Sequence, residues 1–302
     1  MRIAVLGPGG VGGLLAGVLE RAGNEVTVIA RGSTEALIAA RGIAVQSVTF
    51  GEFVARPRAV ERLTDQVDAL LVATKAEGLT DALARVSVAP PVVLPLLNGL
   101  DHLAVLRDRF PARSVLAGTI RVEADRPEPG VVVHTSPFLL VSMASADPEM
   151  TPAMAELAQV LSDAGVPSKV GDSEAQVMWS KLVRLNALAC TTSAYDKLLG
   201  EIRSTPALRA DLEGVIEESC AVGRAEGALE VDAATAIGEL EKAHDTLGSS
   251  MQRDIAAGRT PELDAIPGSV LRAGARHGIS CPTIERLVVL IAERAGIDPP
   301  VA

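Results

Sequence analysis

Residues Met1 to Arg31 fit one supersecondary unit and little else. An apolar run, Arg2-Ile3-Ala4-Val5-Leu6, stops at Gly7-Pro8-Gly9-Gly10-Val11-Gly12-Gly13. A helical run from Leu14 to Ala22 follows, then the turn Gly23-Asn24 and a second apolar run, Glu25-Val26-Thr27-Val28-Ile29-Ala30, ending on Arg31. Strand, glycine turn, helix, turn and strand make one βαβ unit of about thirty residues. Gly7, Gly9 and Gly12 form G-x-G-x-x-G where a dinucleotide fingerprint belongs, after a strand and opening a helix. Gly7 permits the sharp turn, Gly9 lets the backbone approach a pyrophosphate, and Gly12 lets helix and strand pack closely. The bare amides and positive dipole end of the helix then face the phosphates. The expected phosphate cradle is therefore Gly7, Pro8, Gly9, Gly10, Val11 and Gly12.

The end of the second strand selects the cofactor. Sites for NAD usually carry Asp or Glu there, to hold the ribose 2′-hydroxyl. Here the position is Arg31, between Ala30 and Gly32-Ser33. A carboxylate repels a 2′-phosphate, whereas a guanidinium pairs with it in a charge-assisted fork. Arg31 points to NADPH; the competing reading is an ordinary surface arginine at a strand end.

At 302 residues the chain is long enough for two domains with separate cores. Hydrophobic residues make up 48% and aromatics only 2%, so those cores must be built from Ala, Val, Leu and Ile. No apolar run reaches the roughly eighteen residues of a membrane span. Pro8 and the glycines around it fit a strand-turn-helix better than a signal peptide, which makes the cytoplasm the expected location. The net charge of −10 argues against general nucleic-acid binding and requires local positive groups to capture an anionic cofactor. Cys190, Cys220 and Cys281, and His102, His134, His244 and His277, have no metal-ligand spacing. The cysteines read as reduced, buried small hydrophobes, and no metal site is expected.

Along the chain, a helix from Thr34 to Ala40 is followed by short strands at Gly42–Val45 and Thr49–Val54. Stronger strands come at Val67–Lys75 and Val92–Gly99, the latter with an irregular end at Pro95. Strands alternating with helical segments predict a doubly wound, mainly parallel sheet. Val131–His134 and Phe138–Ser142 read as an antiparallel addition, and a helix from Pro152 to Ala164 with a strand near Ser168–Val170 closes the domain at residues 1–170. From 171 to 302 strand signals give way to amphipathic helices: Ser173–Ala194, Pro206–Glu226, Ala233–Ala243, Glu262–His277 and Thr283–Ala295, punctuated by Gly200, Gly227, Gly258 and Gly278. The expected fold is thus an α/β domain followed by an all-α domain. The long apolar helices suit a homodimer face as well as the helical core.

In open α/β sheets the ligand lies outside the carboxyl ends of the strands. Lys75 and Asn98 sit at such ends, where a lysine meets phosphate or carboxylate and an asparagine orients a carbonyl or a nicotinamide. The bland alternatives are a solvated lysine and a turn-forming Asn-Gly. Lys181, in Trp179-Ser180-Lys181-Leu182-Val183-Arg184-Leu185-Asn186, lies in an apolar helix where a cation needs a partner or a ligand. Leu185 and Ala189 share its face, and Arg184 is close beside it. Thr260 is expected as an N-cap with Pro261 first in the helix, which would hold Glu262 in the first turn. A lysine, a serine such as Ser250 and a placed carboxylate are what a carbonyl reductase needs.

The chain resembles the ketopantoate reductase (2-dehydropantoate 2-reductase) family along nearly its whole length. The matching stretches are Gly7-Pro8-Gly9-Gly10-Val11-Gly12, Ala30-Arg31-Gly32, Thr74-Lys75-Ala76, Leu97-Asn98-Gly99-Leu100, Trp179-Ser180-Lys181-Leu182, Ser249-Ser250-Met251-Gln252-Arg253-Asp254 and Glu262-Leu263-Asp264. The resemblance implies a Rossmann domain followed by a helical domain, with the active site in the cleft between them, and NADPH as cofactor. It also implies that Lys181 gives the proton and that Glu262 helps place the lysine and substrate. Ser250 would bind the substrate's polar end, Asn98 would lie near nicotinamide and substrate, and Lys75 at the cofactor and substrate mouth. These roles suit reduction of a small 2-oxo acid, with ketopantoate and hence pantothenate biosynthesis first in line. The departures are Leu185 and Ala189, where family members usually have asparagines, and Leu97 in place of glutamine. Asn186 lies about 100° round the helix from Leu185 and is a poor stand-in. Losing both amides points to a less polar or different 2-oxo acid, and Arg184 is a candidate to hold its carboxylate instead. The reading from another class is a non-catalytic NADPH-binding protein.

Overall fold

The computed structural model describes residues 1–300 and divides into two compact units. The first is residues 1–97 with 102–174; the second is Asn98–Asp101 with the chain from Ala175 onward.

The first unit begins with β1 (Arg2–Leu6), α1 (Gly10–Arg21) and β2 (Glu25–Ile29), the arrangement expected of the glycine segment. Then come α2 (Gly32–Arg41), β3 (Ile43–Ser47), β4 (Gly51–Ala55), β5 (Arg58–Val60), β6 (Ala69–Val72), α3 (Leu79–Leu83) and β7 (Val93–Pro95). The strands β5-β2-β1-β6-β7 lie in that order, all parallel, so the strand order reverses between β1 and β6. This is the topological switch point at which doubly wound sheets bind ligands. β1 and β6 are apolar and buried from Ile3 to Leu6 and from Ala69 to Val72, as strands covered on both faces must be. β7 stops at Pro95, and the next residue, Leu96, still donates its N–H to the Val72 carbonyl of β6 at 2.8 Å.

The rest of this unit is α4 (His102–Arg109), β8 (Ala117–Arg121), β9 (Ala124–Glu128), β10 (Val131–His134), β11 (Leu140–Ala144), α5 (Thr151–Asp163) and β12 (Ser168–Val170). Two smaller sheets result, β4-β3-β10-β9 and β12-β11-β8. The expected antiparallel addition is therefore only half right. β10 is antiparallel to β9 but parallel to β3, whereas β11 is antiparallel to β8 and parallel to β12. β5 was hidden because it is only three residues, follows Pro57 and shows no alternation. Helix α1 is sandwiched between the parallel sheet and β3/β10, which accounts for two further glycines. A Cβ on Gly13 would lie 2.6 Å from Val132 Cγ2, and one on Gly17 2.9 Å from Val45 Cγ2.

The second unit is helical. Its elements are α6 (Glu174–Tyr195, of which Glu174 belongs to the first unit), α7 (Leu199–Ser204), α8 (Pro206–Ala225), α9 (Ala233–Lys242), α10 (Ser250–Ala256), α11 (Ser269–Arg276) and α12 (Pro282–Ala295). α6 is the buried axis; Trp179 seats its indole over Gly223 of α8, where a Cβ would lie 3.0 Å from the ring. The three cysteines are buried in the described structure, and burial pushes the Cys281 thiol up to about 11. No helix among the described residues is long and apolar enough to cross a membrane.

Two expectations for this unit fail for identifiable reasons. Gly200 does not break the chain but lies inside α7; the break is Asp196, whose left-handed backbone (φ 53°) ends α6. Thr260 is not an N-cap, and Glu262 is not in a first helical turn. Residues 260–263 are irregular, and the chain enters α11 through a π-helical turn at Asp264–Gly268. Pro267 has no N–H to give the Leu263 carbonyl, which accepts from Gly268 instead at 3.1 Å. The wider loop that this bond closes is the π turn.

Candidate active site

In the first unit the glycine loop has the form of a phosphate cradle. Gly7 adopts φ +92°, a conformation open to glycine, and its Cβ would lie 2.8 Å from Thr74 Cγ2. A Cβ on Gly9 would meet nothing within 4 Å, so this side of the loop is open for a ligand. Cβ atoms on Gly10 and Gly12 would instead run into the Ala124 and Gly7 carbonyl oxygens. Gly9 is thus the approach glycine, while Gly10 and Gly12 exist for packing. Helix geometry leaves the N–H groups of Gly10, Val11 and Gly12 without intrahelical acceptors, and no acidic residue occupies the first turn of α1. Pro8 stiffens the turn without adding a donor.

Three further residues lie just beyond the carboxyl ends of β6 and β2, beside the loop. Thr74, just beyond β6, has a buried hydroxyl oxygen with no hydrogen-bond partner beside Gly7. Sequence reasoning used its neighbour Lys75 and passed over Thr74; the signal was its place at the carboxyl end of the strand next to β1. Lys75 is exposed immediately before the turn Ala76–Gly78. Arg31 is exposed at the end of β2, where its carbonyl accepts from Thr34 N at 2.8 Å.

The second unit brings together three of the residues singled out in the sequence. Lys181 Nζ donates to Asn98 Oδ1 at 2.8 Å, and Asn98 Nδ2 donates to Glu262 Oε2 at 2.9 Å. The amide thus lies between a cation and an anion, with its oxygen toward the first and its nitrogen toward the second. Lys181 is carried by α6, held in register by the buried Trp179 two residues earlier. Asn98 is held by Gly99, whose φ of +81° and close approach to the Ala265 carbonyl leave no room for a side chain. Glu262 rides on the irregular segment before the π turn, and such turns recur at functional sites.

The other candidates lie in the same unit but take no part in this chain of hydrogen bonds. Ser250 is the exposed first residue of α10; its neighbour Ser249 is the buried N-cap, accepting from Gln252 N at 3.0 Å and from Thr192 at 2.8 Å. Arg184 is engaged by Glu239, Nε to Oε2 at 3.3 Å, which weakens its case as a carboxylate holder. Leu185 is partly buried against the helical core and Ala189 is fully buried, so neither missing amide is replaced at its own position. Asn186 does not stand in either. It points into the core, donating to Ser219 Oγ at 3.0 Å and accepting from the Cys190 thiol at 3.3 Å.

The arrangement can hold a dinucleotide in one unit and, in the other, an ammonium that is hydrogen-bonded to an amide already anchored on a carboxylate. Comparison with known proteins bears on the family and the fold. The family described as "Ketopantoate reductase PanE/ApbA" matches residues 3–143, and its C-terminal counterpart matches residues 173–295. The 2-dehydropantoate 2-reductase of Halobacterium salinarum is 31% identical, over 98% of this chain and 100% of that protein. A PanE/ApbA family ketopantoate reductase from Ralstonia eutropha superposes with a TM-score of 0.86 at 27% identity, over 98% of this chain and 99% of that one. A D-mandelate dehydrogenase solved with NADH and anilino(oxo)acetate gives a TM-score of 0.90, over 99% and 100% of the two chains; at 23% identity it shows the shared fold. Two consecutive family matches, relatives aligned almost end to end and the parallel sheet followed by helices lead to one conclusion: the chain belongs to the ketopantoate reductase family.

Proposed function

We propose that the protein reduces a small 2-oxo acid to the 2-hydroxy acid with NADPH, and that ketopantoate is the first substrate to test. The observation that carries this reading is the hydrogen-bonded series Lys181–Asn98–Glu262. When bound, NADPH supplies the hydride that the carbonyl carbon accepts. Lys181 stabilises the negative charge developing on the carbonyl oxygen and gives it a proton, so that no free alkoxide forms. Asn98 accepts from the Lys181 ammonium and so restricts where it points. Glu262 fixes the other end of the amide and keeps a counter-charge near the cation. Ser250 offers a hydroxyl to the substrate's polar end. Cofactor capture falls to the α1 amides, Arg31 and Lys75, local positive groups in a chain of net charge −10.

A second reading is favoured by Leu185 and Ala189. Half-buried Leu185 and buried Ala189 leave no amide at the two positions where the family resemblance implies them, which suits a 2-oxo acid with an apolar side chain rather than a hydroxylated one. A D-mandelate dehydrogenase of the same fold, solved with anilino(oxo)acetate, supports testing ligands of that kind. A panel of 2-oxo acids, with ketopantoate, branched aliphatic and aromatic members, assayed by loss of NADPH or NADH absorbance, tests both. The highest kcat/KM on ketopantoate supports the first reading, and on an apolar member the second. No turnover with any member, despite measurable dinucleotide binding, would leave a non-catalytic binding protein.

A further inference from the structure

We propose that Arg272 is a positioning residue for this chemistry: its guanidinium sets the spacing between the two chain segments that carry Asn98 and Glu262. The inference rests on Lys181 being the proton donor.

Neither segment is held by regular secondary structure. Asn98 lies in the tetrapeptide Asn98–Asp101, and Glu262 in the irregular stretch before the π turn. Arg272, on α11, reaches both. Its Nε and Nη2 donate to Asp101 Oδ2 at 3.1 and 2.6 Å, Nη1 donates to Asp264 Oδ1 at 2.7 Å, and Nη2 also donates to the Asp264 carbonyl at 2.9 Å. Asp101 is three residues after Asn98, and Asp264 is two after Glu262. A planar, rigid fork thus spans the two segments close to the hydrogen bond that joins their functional side chains. The clamp also neutralises a conflict: without the guanidinium, the Asp101 and Asp264 carboxylates would repel across the same gap. The segments run so close that a Cβ on Gly99 would lie 1.8 Å from the Ala265 carbonyl oxygen, so they cannot move closer and are left to separate when the clamp is lost. Displacing Asn98 from Glu262 turns the amide and moves the acceptor that aims Lys181.

The test uses the full-length protein with the 2-oxo acid that it reduces best. The variants are Arg272→Met, Arg272→Lys, and Arg272→Met combined with Asp101→Asn. The measurements are kcat, KM, the pH profile of kcat, NADPH affinity by fluorescence titration, and thermal melting. Arg272→Met is expected to lower kcat by about tenfold to a hundredfold, the cost of misplacing a reacting group by about an ångström. NADPH affinity should hold, and the pH profile of kcat should shift. Arg272→Lys restores the charge but not the fork, and should recover part of kcat. The added Asp101→Asn removes the repulsion and should recover part as well. If Arg272→Met is folded and keeps both kcat and pH profile, the proposal is overturned. Should that variant fail to fold, Arg272→Lys decides: wild-type kcat and pH profile overturn the proposal, and a reduced kcat with a shifted profile supports it. Full turnover in Lys181→Ala would instead remove the donor reading, whatever Arg272 does.

Discussion

The Asn98 amide nitrogen stands 2.9 Å from a Glu262 carboxylate oxygen, although 164 positions separate the two residues in the chain. This hydrogen bond orients the amide so that its oxygen is left to accept from Lys181. Asn98→Asp is the sharpest probe of it. The substitution keeps an acceptor for Lys181 but sets two carboxylates against each other, so one must take up a proton before the pair can close. The variant should lose activity at neutral pH and recover part of it on acidification. Asn98→Ala should lose activity with no such recovery. A pH profile for Asn98→Asp matching that of Asn98→Ala would refute the role of the bridge.

Lys181→Ala should lower kcat by about 10²- to 10⁴-fold, the range for losing a positioned proton donor, with NADPH affinity retained. The check is steady-state kinetics beside a binding titration. Wild-type kcat would remove Lys181 from the mechanism.

Arg31→Ala should weaken NADPH far more than NADH, because a hydrogen bond to a charged group is worth about 1.5–3 kcal/mol. Titration of the variant with both cofactors reads this directly, and equal losses would count against a 2′-phosphate contact. The same region holds an opposing charge. Glu61 follows β5, and its Oε1 lies 3.4 Å from where a Cβ on Gly32 would stand. Glu61→Gln should therefore move the preference further toward NADPH.

The glycines of the loop should separate into two classes. A methyl group on Gly9 meets no atom within 4 Å, so Gly9→Ala should keep its melting temperature and bind the dinucleotide less well. Gly12→Ala drives a methyl into the Gly7 carbonyl and should destabilise the first unit itself. Melting curves with and without NADPH distinguish the two. A stable Gly12→Ala protein with normal cofactor affinity would contradict this division.

His134 gives the first unit a pH dependence. Its ring is buried, with Nδ1 2.8 Å from Ser47 Oγ and Nε2 3.3 Å from Ser136 Oγ. Burial lowers its pKa below the ordinary 6.5, with nearby Glu123 opposing the shift. The unfolded chain then binds the proton more readily than the folded one. The stability linked to this group is complete above about pH 6.5 and is lost as the pH falls toward the folded-state value. The melting temperature should fall between pH 7 and pH 5 more steeply in the wild type than in His134→Gln. Parallel curves would show that the ring does not contribute.

Local patterns carried much of this protein into its sequence. The βαβ unit, its glycine turn and the switch from strands to helices near residue 171 depend on neighbours in the chain, where periodicity and turn chemistry act, and those elements formed as expected. Lys181 could be singled out as a cation in an apolar helix, with Leu185 and Ala189 on its face, because helical spacing assigns a face residue by residue; their departure from the family pattern came from the resemblance. What lay outside local patterns is what the tertiary structure decided. β5 is too short to be recognised except by its pairing with β2, and the parallel partnership of β10 with β3 joins Ala44 to Val131, far apart in the chain. Helical spacing marked Asn186 as a poor stand-in for the missing amides, but only the packed core supplied Ser219 and Cys190 as its partners. The helix start expected at Thr260 gave way to a π turn, because Pro267 withholds the N–H that a regular helix would use. The candidate side chains Lys181, Asn98 and Glu262 became a connected series only when the tetrapeptide after β7 met the segment before α11. Composition and spacing can supply a lysine, an amide and a carboxylate. Hydrogen-bond distances near 2.8 Å between residues far apart in sequence are set by packing, which no single stretch of chain encodes alone.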